Sequence, residues 1–281
     1  MTKPAVRSKS PIATAVITAA GSGTRLGAQI PKALVSVKGQ TLLALALQRV
    51  LDCPEITAVA ITCPADSVAQ FKDVVAEVLA RRKTDQVIAE TESTVVPTVL
   101  VVPGGSSRQA SVRLGLEALH DLVSPDPAAS QRLGSGAPQN SPPVTGVVLV
   151  HDAARALAPT ALMNTLVRRI SPDTPAVIPG LEVADTIKVV DPKTGIVSAT
   201  PARSTLRAIQ TPQAFQWNLL WRVHQEMRHL GDTEATALTD DAALVEAAGV
   251  PVQVIPGDPL AFKVTGPDDL ARLEEALGSA T

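Results

Sequence analysis

The chain of 281 residues contains no tyrosine, two tryptophans and three phenylalanines, so aromatic residues make up only 2% of it. Proteins that hold single strands by stacking bases on rings need more platforms than that. A basic field is missing too: 25 Lys and Arg stand against 27 Asp and Glu, a formal charge of −2, which leaves no surplus for sequence-independent binding to phosphate backbones. Nucleic acid is therefore not expected as a partner. The two cysteines, Cys53 and Cys63, have neither C-x-x-C spacing nor nearby histidines, and read as small buried hydrophobes in a reducing, cytoplasmic setting rather than as metal or redox ligands. No apolar run approaches the roughly 18 residues of a membrane span. The opening MTKPAVRSKSP is basic but has no apolar core, so neither a membrane nor an export route is expected.

The common nucleotide motifs are also absent. A G-x-G-x-x-G fingerprint beginning at Gly21 would need glycine at position 26, where Leu26 stands; no Gly-Lys-Ser/Thr and no Asp-x-Asp occur. What stands in their place is the stretch 14–34, TAVITAAGSGTRLGAQIPKAL, around which the rest of the chain is arranged. A short apolar run suited to a buried strand turns through Gly21 and Gly23, meets Arg25, and seven residues later reaches Lys32 behind Pro31. Glycine lets backbone N–H groups approach an anion, and Arg and Lys add charge that does not titrate near neutrality. The layout suits a nucleoside triphosphate gripped from two sides.

Periodicity then alternates between the strand and helix patterns. Residues 41–51 are helical, 56–62 form a buried strand, 67–82 an amphipathic helix, and 94–102 a third strand reached through 83–93, a polar insertion read as a flexible surface linker. A second glycine pair, Gly104-Gly105, again joins a strand to a helix, the place where open α/β sheets put ligands. Residues 124–143, rich in Pro, Ser and Gly, read as a solvated insertion. GVVLV at 146–150 is the strongest strand and ends on His151 and Asp152, a carboxylate well placed for a metal or a substrate hydroxyl; the alternative is an Asp that caps the next helix and pairs with Arg155. Residues 176–179 make a further strand, and 183–207 read as a β-hairpin turning at Asp-Pro-Lys-Thr-Gly. Trp217 and Trp221, four apart, read as core or interface rather than as a ligand platform. Thr239 or Asp240 caps a helix that Gly249 ends, 252–255 is expected as an inner strand, and 262–265 as a short strand that turns Lys263 inward. The rhythm is that of an α/β fold with a mostly parallel sheet.

Seven blocks in this order, AAGSGTRLG with PKAL at 19–34, GGSSRQASVRLGL at 104–116, VLVHDAAR at 148–155, VADTIK at 183–188, TPQAF at 211–215, LTDDA at 238–242 and FKVTGPDDL at 262–270, resemble the 2-C-methyl-D-erythritol 4-phosphate cytidylyltransferases of the non-mevalonate isoprenoid pathway. The resemblance runs end to end. It implies a single domain over 1–281 with the Rossmann-like nucleotidyltransferase fold, a three-layer α/β/α arrangement around a mostly parallel twisted sheet from which a β-hairpin arm protrudes. It also implies transfer of CMP from CTP to methylerythritol phosphate with a divalent cation, Mg²⁺. By that resemblance Arg25 and Lys32 hold the triphosphate; Thr18, Ala19, Ala20, Gly21, Gly23, Gly105, Ser106, Ser111 and Ala153 line the nucleotide site. Asp152, Arg155, Thr186, Arg203, Thr211, Thr239 and Lys263 surround the acceptor, with Arg25, Lys32, Asp152 and Lys263 as the catalytic set. The arm carrying Thr186 and Arg203 would cross to a second subunit of a homodimer. Two positions depart from the family: Ser106 replaces an acidic residue, and Ala261 replaces an asparagine. Ribitol 5-phosphate cytidylyltransferases share most of these blocks, and a nucleotide-binding regulatory subunit without catalysis is the rival from another class.

Overall fold

A computed structural model describes residues 13–21, 30–88, 97–123, 146–228 and 239–278. Its centre is a sheet whose parallel strands are β1 (Ala13–Thr18), β4 (Ile56–Cys63), β5 (Thr98–Pro103), β6 (Val147–Asp152) and β7 (Ala176–Glu182), with β10 (Arg207–Ile209) and β11 (Gln213–Gln216) running the other way. The order is β10–β7–β11–β6–β1–β4–β5, and a last strand, β12 (Gln253–Pro256), pairs in parallel with β7. A small hairpin, β2 (Ser36–Val37) and β3 (Gln40–Thr41), precedes the first helix, and a second, β8 (Val189–Val190) and β9 (Val197–Ala199), stands apart.

The alternation of side chains along a strand sends each central strand's residues to two separate cores. Ala15 and Ile17 of β1, Val59 and Ile61 of β4 and Leu149 of β6 pack under α1 (Leu42–Leu51), α2 (Val68–Ile88) and α4 (Thr160–Arg169), through Leu43, Leu47, Phe71, Met163 and Leu166. Their neighbours Val16, Ala58, Ala60, Val148 and Val150 face α3 (Arg108–Val123), α5 (Trp217–Glu226) and α6 (Asp241–Ala247), through Leu116, Leu119, Leu220 and Leu244. These are the three expected layers. A smaller cluster seats α7 (Pro267–Gly278) against Leu42, Leu45 and Leu157 through Leu273. Among the described residues no helix is long and apolar enough to cross a membrane.

Several local readings hold. Of the two caps proposed for α6 the structure uses Asp240, whose side chain accepts from the Ala243 N–H, and Gly249 ends that helix at a φ of 75°. The run read as helical from 41 starts at Leu42, with the Thr41 hydroxyl accepting from the Ala44 N–H at 3.1 Å as its cap. Trp217 is core, and Trp221 stacks on His120 at 4.6 Å. The hairpin turns at residues 191–195, where the Asp191 side chain accepts from the N–H groups of Lys193 and Thr194.

Other readings are corrected. Helix α2 continues through residues 83–88, expected as part of a linker; Lys83, Thr84 and Asp85 are exposed, and a polar run serves a solvated helix end as well as a loop. Strand β12 lies on an edge rather than inside, burying only Ile255 of its four residues, in keeping with Pro256, which has no N–H for a further ladder. Residues 262–265 join no sheet; the Val264 N–H bonds to the Ala154 carbonyl instead. The arm ends before Arg207, which belongs to β10 of the main sheet. The stretches 89–93 and 124–143 lie outside the described residues.

Helix α3 sits close on β1 and β4 because Gly115 faces the sheet: a Cβ there would lie 2.6 Å from Val16 Cγ1 and 3.2 Å from Thr62 Cγ2. Alanine at this position gains helix propensity but forces that contact apart. Gly115→Ala is expected to lower unfolding free energy by about 1–3 kcal/mol in urea denaturation; an equal or higher stability would show that the helix can shift at no cost.

Candidate functional site

Parallel strands bring their carboxyl ends to one edge, and the chain leaves β1, β5 and β6 there through small residues. The exits are held by backbone bonds that prolong the ladder: Ala19 N–H to Thr62 O at 2.8 Å, Gly104 N–H to Cys63 O at 2.7 Å and Ala153 N–H to Thr18 O at 3.0 Å. They enclose a cavity of about 470 Å³, lined among others by Thr18, Ala19, Ala20, Gly21, Lys32, Gly105, Ser106, Ser111, Asp152, Ala153 and Lys263. The glycine pair is required by packing as well as by any ligand. A Cβ on Gly104 would lie 2.9 Å from the Ala20 Cβ and the Ser111 Oγ, and one on Gly105 would meet the Ala110 Cβ at 2.4 Å. Ser111 is spent on this loop, its Oγ accepting from the Gly105 N–H at 3.0 Å and donating to the Ser107 carbonyl at 2.9 Å.

Asp152 is the only carboxylate in the cavity's lining among the described residues, and it is buried. Lys263 Nζ donates to its Oδ2 at 2.8 Å; Arg108 Nε and the Thr18 hydroxyl donate to Oδ1, each at 3.2 Å. Burial alone would push this carboxyl up, but Arg108 first and Lys263 next overcome it and hold Asp152 well below the usual carboxylate range. The side chain therefore does not cap the following helix, and its partner is not Arg155. That guanidinium donates to the carbonyls of Ala261 at 2.7 Å and Ile209 at 3.2 Å, outside the cavity's lining. Ala261, a departure from the family pattern, thus contributes a backbone oxygen.

Thr211 is buried beside the cavity, its hydroxyl oxygen accepting from the Asp152 N–H at 3.0 Å and sharing a 3.1 Å hydrogen bond with His151 Nδ1. Thr239 is exposed at the start of α6, and Thr186 and Arg203 lie on the exposed arm; none of the three lines this cavity. Arg203 Nη1 donates to the Ala184 carbonyl at 2.7 Å. Gly23 and Arg25 lie outside the described residues. Lys32 lines the cavity near Asp269, whose carboxyl is held low mainly by the Thr265 hydroxyl and in part by the Lys32 charge.

Arg108 was not singled out by the sequence reading, yet it reaches the cavity and carries two carboxylates, donating from Nη1 to Asp241 Oδ2 at 2.6 Å besides its bond to Asp152. One signal could have found it. Arg108 is the first residue of α3, where the helix dipole disfavours a cation unless an anion waits for it. Cys53 and Cys63 are buried and free, and burial pushes their thiols up to about 12 and about 11, which leaves no thiolate for chemistry.

His151 is fully buried, and burial pushes its pKa down to about 4 from an ordinary 6.5. The folded protein thus keeps this ring neutral while the unfolded chain takes up a proton below pH 6.5, so the stabilisation is complete above that value and is lost as pH falls from 6.5 to about 4. Asp152 and Asp241, both held low, add their own losses only below the ordinary carboxylate pKa of 3.8. Between pH 7.5 and 4.5, His151→Gln is expected to lose about 2–3 kcal/mol less unfolding free energy than the wild type. Parallel stability curves would show that His151 titrates normally in the fold.

Residues 13–124 and 139–279 match the family described as IspD, 2-C-methyl-D-erythritol 4-phosphate cytidylyltransferase. The protein of that name from Streptomyces avermitilis is 38% identical over 268 residues, which span 94% of this chain and 90% of the relative. Among solved structures, the 4-diphosphocytidyl-2C-methyl-D-erythritol synthase of Anaerococcus prevotii superposes with a TM-score of 0.67 at 25% identity, covering 96% of this chain and all of the other. The 2-C-methyl-D-erythritol 4-phosphate cytidylyltransferase of Thermus thermophilus does so with a TM-score of 0.60 at 29% identity, over 95% and 98%. With the family matched over every residue that lines the cavity and along nearly the whole sequence, the chain belongs to the 2-C-methyl-D-erythritol 4-phosphate cytidylyltransferases.

Proposed function

We propose that this protein transfers the cytidylyl group of CTP to the phosphate of 2-C-methyl-D-erythritol 4-phosphate and releases pyrophosphate. The observation that carries the reading is the cavity itself: a single carboxylate held by Lys263 and Arg108, with Lys32 also on the lining, cations whose charges do not depend on pH near neutrality, beside the backbone of two strand exits. That surface suits a polyanion. An acceptor phosphate oxygen bonds to the α-phosphorus of CTP while the bond from that phosphorus to the oxygen bridging it to the β-phosphorus breaks, and the electron pair leaves with pyrophosphate. The nucleophile is already an anion, so the protein's tasks are in-line placement and neutralisation of charge, with no general base required.

In this reading Lys32, together with Arg25, holds the triphosphate and stabilises charge developing at the α-phosphorus. Residues 18–21 with Gly23, Gly105, Ser106, Ser111 and Ala153 receive cytosine and ribose. Lys263, bound to Asp152, stands at the reacting centre. Arg155, Thr211 and Thr239 border the acceptor.

A divalent cation fits the donor set. Mg²⁺ is ordinarily held by one or two carboxylates together with substrate phosphates, and Asp152 offers one such carboxylate on the cavity wall. Among the described residues no group of three or more His, Cys, Asp or Glu could enclose an ion without the nucleotide. Asp152 would share the ion with the phosphates, and once bound Mg²⁺ would neutralise their charge. The purified protein with CTP, Mg²⁺ and methylerythritol phosphate is expected to release pyrophosphate, and chelation to stop it. Turnover with ribitol 5-phosphate in place of methylerythritol phosphate would overturn the assignment of the acceptor.

The acceptor's remaining contacts are assigned to a second copy of the chain. Residues 184–200 of the arm are exposed throughout, including Val189, Val190 and Val197, and β8 and β9 pair only with each other. Two strands of this size have too little core to stand alone, so the arm needs a surface, and a two-fold dimer would bring Thr186 and Arg203 to the partner's site. Lys32→Ala is expected to lower kcat about 100-fold, and Arg203→Ala to be similarly impaired. Mixing the two variants should restore part of the activity, because one site in each mixed dimer carries neither change. Exchange of subunits without recovery would place Arg203 in its own chain's site.

A further inference from the structure

Behind the cavity wall Arg108 continues into a buried chain, through Asp241 to His224, to which the transfer reaction as assigned above gives no role. Arg108 donates from Nη1 to Asp241 Oδ2 at 2.6 Å; Asp241 Oδ1 lies 2.9 Å from His224 Nε2; Asp241 is fully buried and His224 nearly so. The three residues come from three helices, α3, α6 and α5, which share one face of the sheet. A wholly buried carboxylate is costly unless its partners are fixed, and a cation at a helix start runs against the dipole. Two unfavourable placements therefore meet in one contact.

We infer that Arg108 is a positioning residue for Asp152, and that Asp241, backed by His224, aims it. Arg108 Nε takes Asp152 Oδ1 at 3.2 Å together with the Thr18 hydroxyl, which leaves Oδ2 for Lys263 at 2.8 Å on the cavity side. The carboxylate is thus fixed in rotation, and with it the lysine. An unanchored guanidinium on the wall of a triphosphate site would be drawn to the phosphates, since Arg binds them with two donors at once. Asp241 prevents this by occupying Nη1 from behind. Asp240, the next residue back, is itself pinned: its Oδ2 accepts from Gln213 Nε2 at 2.7 Å, and its Oδ1 from the Ala243 N–H at 2.9 Å. The anchor is therefore rigid, and it is tied to the strand that follows Thr211, whose hydroxyl holds the Asp152 N–H.

The inference rests on the cytidylyl-transfer reading, and the test separates the two. Asp241→Asn keeps the shape and removes the charge that holds Arg108; Arg108→Lys keeps the charge and removes the fork. Each is expected to lower kcat at least 10-fold, the range seen when an outer partner of a site residue is lost, while the Kd for CTP by calorimetry stays within about threefold of wild type. The double variant is expected to be no worse than the poorer single one, because both act through one contact. If Asp241→Asn does not fold, by its melting curve, His224→Gln and Arg108→Lys are judged by the same criteria. A folded variant with kcat within twofold of wild type, a kcat left unchanged while CTP affinity falls, or losses that multiply in the double variant would overturn the inference. An inactive wild type would instead sink the transfer reading and this inference with it.

Discussion

A carboxylate buried at the end of a parallel strand is tolerable only while cations hold it, and Asp152 places that condition at the centre of this protein. Exposed ion pairs contribute about 1 kcal/mol or less, whereas a buried charge deprived of its partner costs several. Asp152 is of the second kind, and its partners come from separate parts of the chain: Thr18 from β1, Arg108 from α3, and Lys263 from the segment that precedes α7. The sheet edge, one helical layer and the C-terminal segment are all held to one side chain. Weakening any of the three contacts redistributes load onto the others, so the site and the fold are linked through the same oxygen atoms.

The sheet makes such a convergence accurate. Thr18 and Asp152 are register partners at the ends of β1 and β6, so their spacing is set by the ladder rather than by a flexible loop. Val16 and Ile17 go to opposite cores, as do Val148 and Leu149, which locks the register against a one-residue slip that would turn Asp152 away from the cavity. The glycines beside the site serve the same end. Gly104 and Gly105 let the β5 exit lie against Ala20, Ala110 and Ser111, and Gly115 brings α3, with Arg108 at its head, down onto β1.

Features that depend on near neighbours were legible in the sequence. Apolar runs located β1, β4 and β6, a carboxylate before an apolar period marked the cap at Asp240, and Asp-Pro-Lys-Thr-Gly marked the hairpin turn. Asp152 and Lys263 stood out because one ends a strong strand and the other sits in a family block. Arg108 did not, because its meaning lies in Asp241, 133 residues away, and periodicity carries no information over that distance. Strand β12 was misplaced for a related reason: an apolar run does not say whether one or two neighbours flank it, and here only β7 does. Residues 83–88 show the converse, a polar run compatible with linker and solvated helix alike, decided by continuity with α2.

The histidine beside Asp152 shows why the surrounding chemistry needs permanent charges. Among the described residues His151 is the one side chain next to the cavity whose ordinary pKa lies near neutrality, and burial takes it out of that range, down to about 4. It faces Thr211 rather than the cavity, so it supplies hydrogen bonding to the wall and no proton to a substrate. What remains around Asp152 is arginine and lysine, whose charge is constant over the physiological range, and a carboxyl held low by them. For a reaction between two phosphates this is the economical arrangement: no proton needs to be taken from the nucleophile, and a titrating cation would only make the electrostatic stabilisation vary with pH. The same logic explains why the cations are anchored. A charge that acts by position must not follow the substrate when it arrives or leaves, and Asp241 behind Arg108 and Asp152 beside Lys263 hold each cation in place before any ligand enters.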